Sequence, residues 1–350
     1  MGQCDDEQPQ HGAGIPVHAQ TPPRLALVAL LAVLAVLTLL AVLAACTAGS
    51  SGPPATPTPS PAGVQRPVAI AADPTGHLWV ADAVRGDLLR LSADGKTVDR
   101  AVAVGGAPQA LLSANGSLWV TVGDAGLLVQ VDPVSGQVTA RIPVGTDPTG
   151  VAYGWNSLWV TATRDGLLVR VDARTHQVTD RIKVGPSPRV VVLGRDAAWV
   201  TDYAAGTVTR VDVANGDSTT TSRLCIGPLG EATSTGTLWV ACADGNTVLA
   251  LDESTGNVLA RIPVRGGPET LLEFDGRIYV TLRDDPTVAL IDPRTHTLLT
   301  PAPSDTGTRA GSASTAPPAA RTGDTALAVL RDTVWQSRAA DGTVQQVPGP

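Results

Sequence analysis

Leu78-Trp79-Val80 returns as Leu118-Trp119-Val120, Leu158-Trp159-Val160, Ala198-Trp199-Val200, Leu238-Trp239-Val240 and Ile278-Tyr279-Val280. The aromatic stands at 79, 119, 159, 199, 239 and 279, always forty residues from the last. A seventh copy, Val334-Trp335, is displaced by the Ser-, Thr-, Pro-, Ala- and Gly-rich stretch 301–324. Self-similarity at a fixed period near forty is the signature of a repeat architecture. It also accounts for a lopsided composition, seven Trp against one Phe and three Tyr.

Within one period the pattern is β throughout. In 148–187 a short apolar run follows Pro148, a turn with Gly154 and Asn156 leads to Leu158–Thr161, and Arg164-Asp165-Gly166 leads to Leu167–Val171. A hairpin through His176 then leads to Val178–Val184. Four short strands per forty residues make one propeller blade, and nothing after residue 47 sustains a helical period. The expected fold is all-β, a seven-bladed β-propeller. Its blades lie near 67–106, 107–147, 148–187, 188–227, 228–267, 268–300 and 325–350, with 301–324 inserted. Both faces of a blade are covered, so the second strand needs bulk on each side. Trp79, Trp119, Trp159, Trp199, Trp239, Tyr279 and Trp335 are therefore core, and Trp155, outside the register, is the candidate surface tryptophan. The last copy ends without room for a fourth strand. Residues 61–66 are expected to pair with it and close the ring.

Residues 25–45 are apolar or small and uncharged, with Arg24 before them. A run of that length can cross a bilayer core. Leu43-Ala44-Ala45-Cys46 resembles the lipobox of bacterial lipoproteins, which implies acylation at Cys46; the alternative is an uncleaved, single-pass anchor helix. Asp5, Asp6 and Glu7 depart from the positive region that usually opens a signal peptide. Either way 1–45 is a signal or anchor, 46–63 a disordered, proline-rich linker, and 64–350 the propeller. The expected location is extracytoplasmic, on the outer face of the cytoplasmic membrane.

Leu158-Trp159-Val160-Thr161, Val169-Arg170-Val171-Asp172 and Arg141-Ile142-Pro143-Val144-Gly145 with Pro148 resemble the YVTN-type (YncE-like) β-propeller repeat. At repeat level the chain is also similar to virginiamycin B lyase-like and lactonase-like propellers. The resemblance implies the fold. It leaves function open between lyases, lactonases and binding proteins. Streptogramin lyases would imply a histidine-containing, metal-assisted site, and the chain has no His-x-His or Glu-x-His pair.

The repeat also explains residues that might be taken for catalytic ones. Asp132, Asp172, Asp212, Asp252 and Asp292 recur at the end of the third strand as turn caps. Four residues further, Gly136, His176, Gly216, Gly256 and His296 mark a left-handed position, so both histidines are expected in exposed turns. Arg100, Arg141, Arg181, Arg223 and Arg261 open the outer strand, where charge guards an edge. No Gly-x-Ser-x-Gly elbow, phosphate loop or metal-spaced Cys/His cluster occurs. Cys225 and Cys242 approach the same face of adjacent blades, and an oxidising compartment would pair them.

Loops on that face collect acids and arginines, among them Asp82, Arg85, Asp124, Asp147, Asp165, Arg189, Asp244 and Glu269. The candidate ligand-binding residues are Asp202, Tyr203, Arg283 and Asp284 from these loops. Glu231 and Glu273, on inner strands, are the carboxylates that the repeat explains least. A net charge of −7 excludes a basic nucleic-acid binder. The sequence thus reads as a monomeric, non-catalytic binding scaffold in the cell envelope. It is tethered by a lipid anchor and takes a small polar ligand or an envelope protein, without cofactor or metal. The alternative is a lyase- or lactonase-type enzyme with a divalent cation held by channel carboxylates.

Overall fold

The computed structural model describes residues 63–299 and 325–348. The apolar segment, Cys46, the linker up to residue 62 and the insertion 301–324 lie outside the described residues. Among the described residues, no helix is long and apolar enough to cross a membrane.

Seven antiparallel sheets succeed one another along the chain, six of four strands and one of three, each in simple meander order. Their innermost strands are Pro67–Ala72, Pro108–Ala114, Pro148–Gly154, Pro188–Leu193, Pro228–Ser234, Pro268–Phe274 and Thr325–Leu330. Proline opens six of these, the one strand position where its missing N–H and fixed φ cost least. The innermost strand of the seventh sheet lies beside those of the first and the sixth, so the ring closes. Closing a ring of sheets leaves only short outer edges exposed.

The closure differs from expectation in one respect. The seventh sheet has three strands, Thr325–Leu330, Thr333–Arg338 and Thr343–Gln346, and residues 64–66 are not in a strand. Val64 instead packs into the apolar cluster of Ile70, Leu78, Trp335 and Val344, between blades seven and one. Gln65 donates its N–H to Asp82 Oδ2 at 2.6 Å. The entering chain seals the seam with side chains and a loop cap, because its next residues already belong to the innermost strand of blade one.

Between blades the tryptophans act as wedges. The five from Trp79 to Trp239 are 0–2% exposed. Each packs against the second and third strands of the next blade, as Trp79 does against Leu118, Val120, Val129 and Val131. The indole N–H of Trp79 donates to Asp73 at 2.8 Å. Those of Trp119, Trp159, Trp199 and Trp239 have no hydrogen-bond partner among the described residues. Arg170 stands over Trp159 at 5.0 Å, and His176 and His296 meet Trp119 and Trp239 edge-on at 5.8 and 5.5 Å. Both histidines have left-handed φ, 60° and 57°, but they are half-buried lids on the preceding blade's tryptophan, not exposed turns.

The outer-strand arginines also do more than guard an edge. Arg141 donates to the carbonyl of Val104, Arg261 to Leu224 and Arg100 to Val134, each tying its blade to a neighbour. The Asp turn caps are present. Asp172 accepts the N–H groups of Arg174 and Thr175, and Asp252 those of Ser254 and Thr255 with both hydroxyls. These bonds to the ionised form draw the Asp252 carboxyl down to about 2.

Candidate functional site

The seven innermost strands surround a central cavity of about 250 Å³. Alternate residues of a strand face the same side, so each strand contributes at two levels. The outer level is made by the second residue of the first six strands: Val68, Gln109, Thr149, Arg189, Leu229 and Glu269. The deeper level is the residue paired with the one after the wedge aromatic: Ile70, Leu111, Val151, Val191, Glu231, Leu271 and Leu327. All of these except Leu271 line the cavity. Six blades place an aliphatic there, and the fifth places a carboxylate.

Glu231 is 5% exposed, and among the described residues neither of its carboxylate oxygens has a hydrogen-bond partner. Burial alone pushes its carboxyl well above the ordinary range, so the neutral acid is favoured. Gly230, just before it, allows the approach to blade six: a Cβ there would run into the carbonyl of Glu269.

Arg189 is 2% exposed, and among the described residues its Nε and Nη2 have no hydrogen-bond partner. Burial lowers its affinity for the proton, opposed by the charges of Asp147, Tyr203 and Asp202. Its guanidinium carbon lies 6.0 Å from the Tyr203 ring. Its backbone is held firmly: the Arg189 carbonyl accepts from Thr149 Oγ1 at 3.0 Å and Thr161 Oγ1 at 2.8 Å, and Thr163 Oγ1 bonds Pro188 O at 2.7 Å.

The third charged group of the cavity, Glu269, is already engaged. It accepts from Arg283 Nε at 2.8 Å and Thr325 Oγ1 at 3.1 Å. Arg283 Nη1 reaches Asp244 at 3.0 Å, and the Tyr203 hydroxyl donates to the same carboxylate at 2.6 Å. Burial opposes the Arg283 charge, but the two carboxylates outweigh it and hold the guanidinium above its usual range. Burial and the bond to Asp244 raise the Tyr203 phenol. The chain Tyr203–Asp244–Arg283–Glu269–Thr325 thus cross-links blades four, five, six and seven beside the channel.

The structure therefore sorts the expected residues. Glu231 lies in the channel, and Tyr203 and Arg283 belong to the network at its side. Asp202 is a loop cap: it is fully buried and accepts from the N–H groups of Ser187 and Ala205. Asp82, Asp124 and Asp165 do the same for Gln65, Ala107 and Thr146, so the acidic rim is largely loop architecture. Asp284 is exposed on a loop. Glu273 is exposed near the far end of its strand, beside the Asp275-Gly276 turn, and does not join Glu231. Both stand on inner strands, but Glu273 lies two residues past the level of Glu231, beyond the cavity lining. Arg189 and Glu269, read from the sequence as loop charges, prove to be channel residues; their position one past the strand-opening proline was the available signal.

Cys225 and Cys242 are joined by a disulfide, with Cα atoms 6.0 Å apart. Cys225 lies beyond a short outer strand, Ser218–Thr220, in the loop that leads to blade five. Among the described residues, no group of three or more His, Cys, Asp or Glu side chains is placed to hold a metal ion.

No family model matches the chain, and no curated protein matches it. Solved structures do. A streptogramin B lyase aligns with TM-score 0.66 and 17% identity over 81% of this chain and 93% of its own. Virginiamycin B lyase from Staphylococcus aureus aligns with TM-score 0.65 and 16% identity, over 79% and 93%. The hydrazine synthase of Kuenenia stuttgartiensis reaches TM-score 0.67 and 14% identity, over 86% and 99%. At such identities the likeness is one of fold, and the fold is a seven-bladed β-propeller.

Proposed function

We propose that the chain is a non-catalytic binding module of the cell envelope, whose central channel takes a small polar ligand. The observation that carries this reading is a pair of buried side chains lining the cavity, Arg189 with Nε and Nη2 and Glu231 with both oxygens lacking hydrogen-bond partners among the described residues. Buried charges without partners are unfavourable, and a site that keeps them is suited to a ligand that supplies the partners. The apolar segment ending at Cys46 supports a membrane tether, and the Cys225–Cys242 disulfide supports an oxidising compartment.

The test is a binding screen with the full chain in detergent and an Ala326→Phe variant that blocks the channel. Ala326 lines the cavity, is half-buried and also packs against the apolar seam between blades seven and one, so far-UV circular dichroism checks that the variant keeps the fold. Small polar solutes should bind the wild type and not the blocked variant. Equal binding to both, or turnover of a bound solute, would overturn the reading. The enzyme alternative rests on Glu231 and Glu269 lining one cavity, and Ca²⁺ or Mg²⁺ binding lost in Glu231→Gln would favour it. Against it, Glu269 is already engaged by Arg283 and Thr325.

A further inference from the structure

A guanidinium and a carboxyl line the same cavity, and among the described residues the Nε and Nη2 of Arg189 and both oxygens of Glu231 lack a hydrogen-bond partner. Arg189 comes from blade four and Glu231 from blade five, so they belong to neighbouring inner strands. They are two positions apart in depth, and at about 3.3 Å per residue their Cα levels differ by about 6–7 Å along the strands. The unpartnered Arg189 atoms, Nε and Nη2, form one edge of the guanidinium fork, which matches two oxygens of a carboxylate or similar oxyanion side by side. The unpartnered Glu231 oxygens accept from a cation that carries N–H groups. At the level of Glu231 the wall is aliphatic, formed by Ile70, Leu111, Val151, Val191 and Leu327.

Each alternative ligand satisfies only half of this arrangement. A simple anion would leave Glu231 unpaired, and a simple cation would leave Arg189 unpaired. The other carboxylate of the cavity, Glu269, is held by Arg283 and does not compete for the cation.

We infer that the channel takes a small zwitterion, with its ammonium end seated on Glu231 and its carboxylate or other oxyanion end on the Nε–Nη2 edge of Arg189. This rests on the channel-binding reading above and names the ligand class. A short methylene chain between the two ends would lie against the aliphatic ring. The ligand supplies both missing partners at once. Ammonium binding draws Glu231 into its ionised form, and the released proton goes to solvent.

The test uses the full chain in detergent and defined probes: glycine, 4-aminobutyrate and 5-aminopentanoate as zwitterions, n-butylamine and butanoate as single-ended controls. Calorimetric titration should show 4-aminobutyrate or 5-aminopentanoate binding at least about tenfold more tightly than either control, with glycine weaker because its charged ends are too close. Glu231→Gln should reduce the zwitterion to the affinity of butanoate, and Arg189→Gln to that of n-butylamine. Glu231→Gln removes an unpaired buried carboxylate, so it should retain the fold, and far-UV circular dichroism checks both variants. Equal binding of n-butylamine and the zwitterions would overturn the inference, as would no binding of any zwitterion. If a neutral solute is instead held by the wild type and lost in Ala326→Phe, the zwitterion fails while the channel reading stands. If every bound solute also binds Ala326→Phe, the channel reading itself fails.

Discussion

At the scale of single residues, the informative positions are those that break the repeat. Glu231 stands where the other blades carry Ile70, Leu111, Val151, Val191, Leu271 and Leu327. Restoring the repeat should stabilise the fold: Glu231→Leu is expected to gain about 1–3 kcal/mol in chemical denaturation at neutral pH. The pH dependence has a definite sign. The folded carboxyl is raised above its unfolded value, so the folded state binds the proton more tightly. Native stability is then fully present below the ordinary carboxylate range, falls as pH rises through it, and levels off above the raised value. Glu231→Gln should lack this fall. Tryptophan gives a contrasting pair. Trp159→Ala, opening a void between blades, should cost about 3–5 kcal/mol. Trp155→Ala should change stability by less than about 0.5 kcal/mol, since Trp155 is 40% exposed in a turn. Residues at repeating positions were legible from spacing alone, the wedge aromatics and the turn-capping aspartates above all. Arg189 and Glu269 were not. Whether a charge one residue past a proline points to solvent or to the axis depends on where the strand begins, and strand ends are weakly marked in sequence.

At the scale of elements, the inner strands show how local chemistry positions the channel. Each of the first six inner strands shifts register near its proline. In four blades a threonine hydroxyl takes up the N–H freed there: Thr121 for Ala110, Thr161 for Gly150, Thr201 for Val190 and Thr281 for Thr270. That is the physical use of the threonine in the recurring Leu-Trp-Val-Thr phrase. In blade five the position is Ala241, and the next strand position is Cys242, bonded to Cys225. The disulfide is a second fastening for an outer edge where the fourth strand of blade four shrinks to Ser218–Thr220. Replacing both cysteines by alanine should cost about 3 kcal/mol, the loop-closure value for a separation of 17 residues, read as a shift of the denaturation midpoint. No shift between oxidised and reduced wild type would contradict it. The pairing was legible because second and fourth strands run the same way. The short outer strand was not, because the serine and threonine run 218–222 favours extended backbone whether or not a partner strand is present.

At the scale of the molecule, the ring closes with a three-stranded seventh blade. That blade is no loose tail. Thr325 bonds Glu269 and Thr281, Arg338 donates to the carbonyls of Leu282 and Asp285, and Trp335 fills the seam with blade one. Truncation after residue 299 should therefore abolish the single cooperative unfolding transition; an unchanged midpoint would mean six blades suffice. Blade number was legible in the sequence, since a degenerate seventh copy still carries Val334-Trp335. How the seam is sealed was not, because an entering chain can close a ring with a strand or with side chains, and a Pro-rich segment permits both.

The central claim is that the channel holds an unpaired carboxyl ready for a ligand. The chain has five glutamates, Glu7, Glu231, Glu253, Glu269 and Glu273, so carbon-13 labelling of the glutamate carboxyls gives a spectrum simple enough to follow through a pH titration, with Glu231→Gln as the assignment. Glu231 should titrate well above the ordinary carboxylate range, and a zwitterion bound in the channel should shift its titration downward. Titration of Glu231 in the ordinary carboxylate range, with no response to ligand, would contradict the claim.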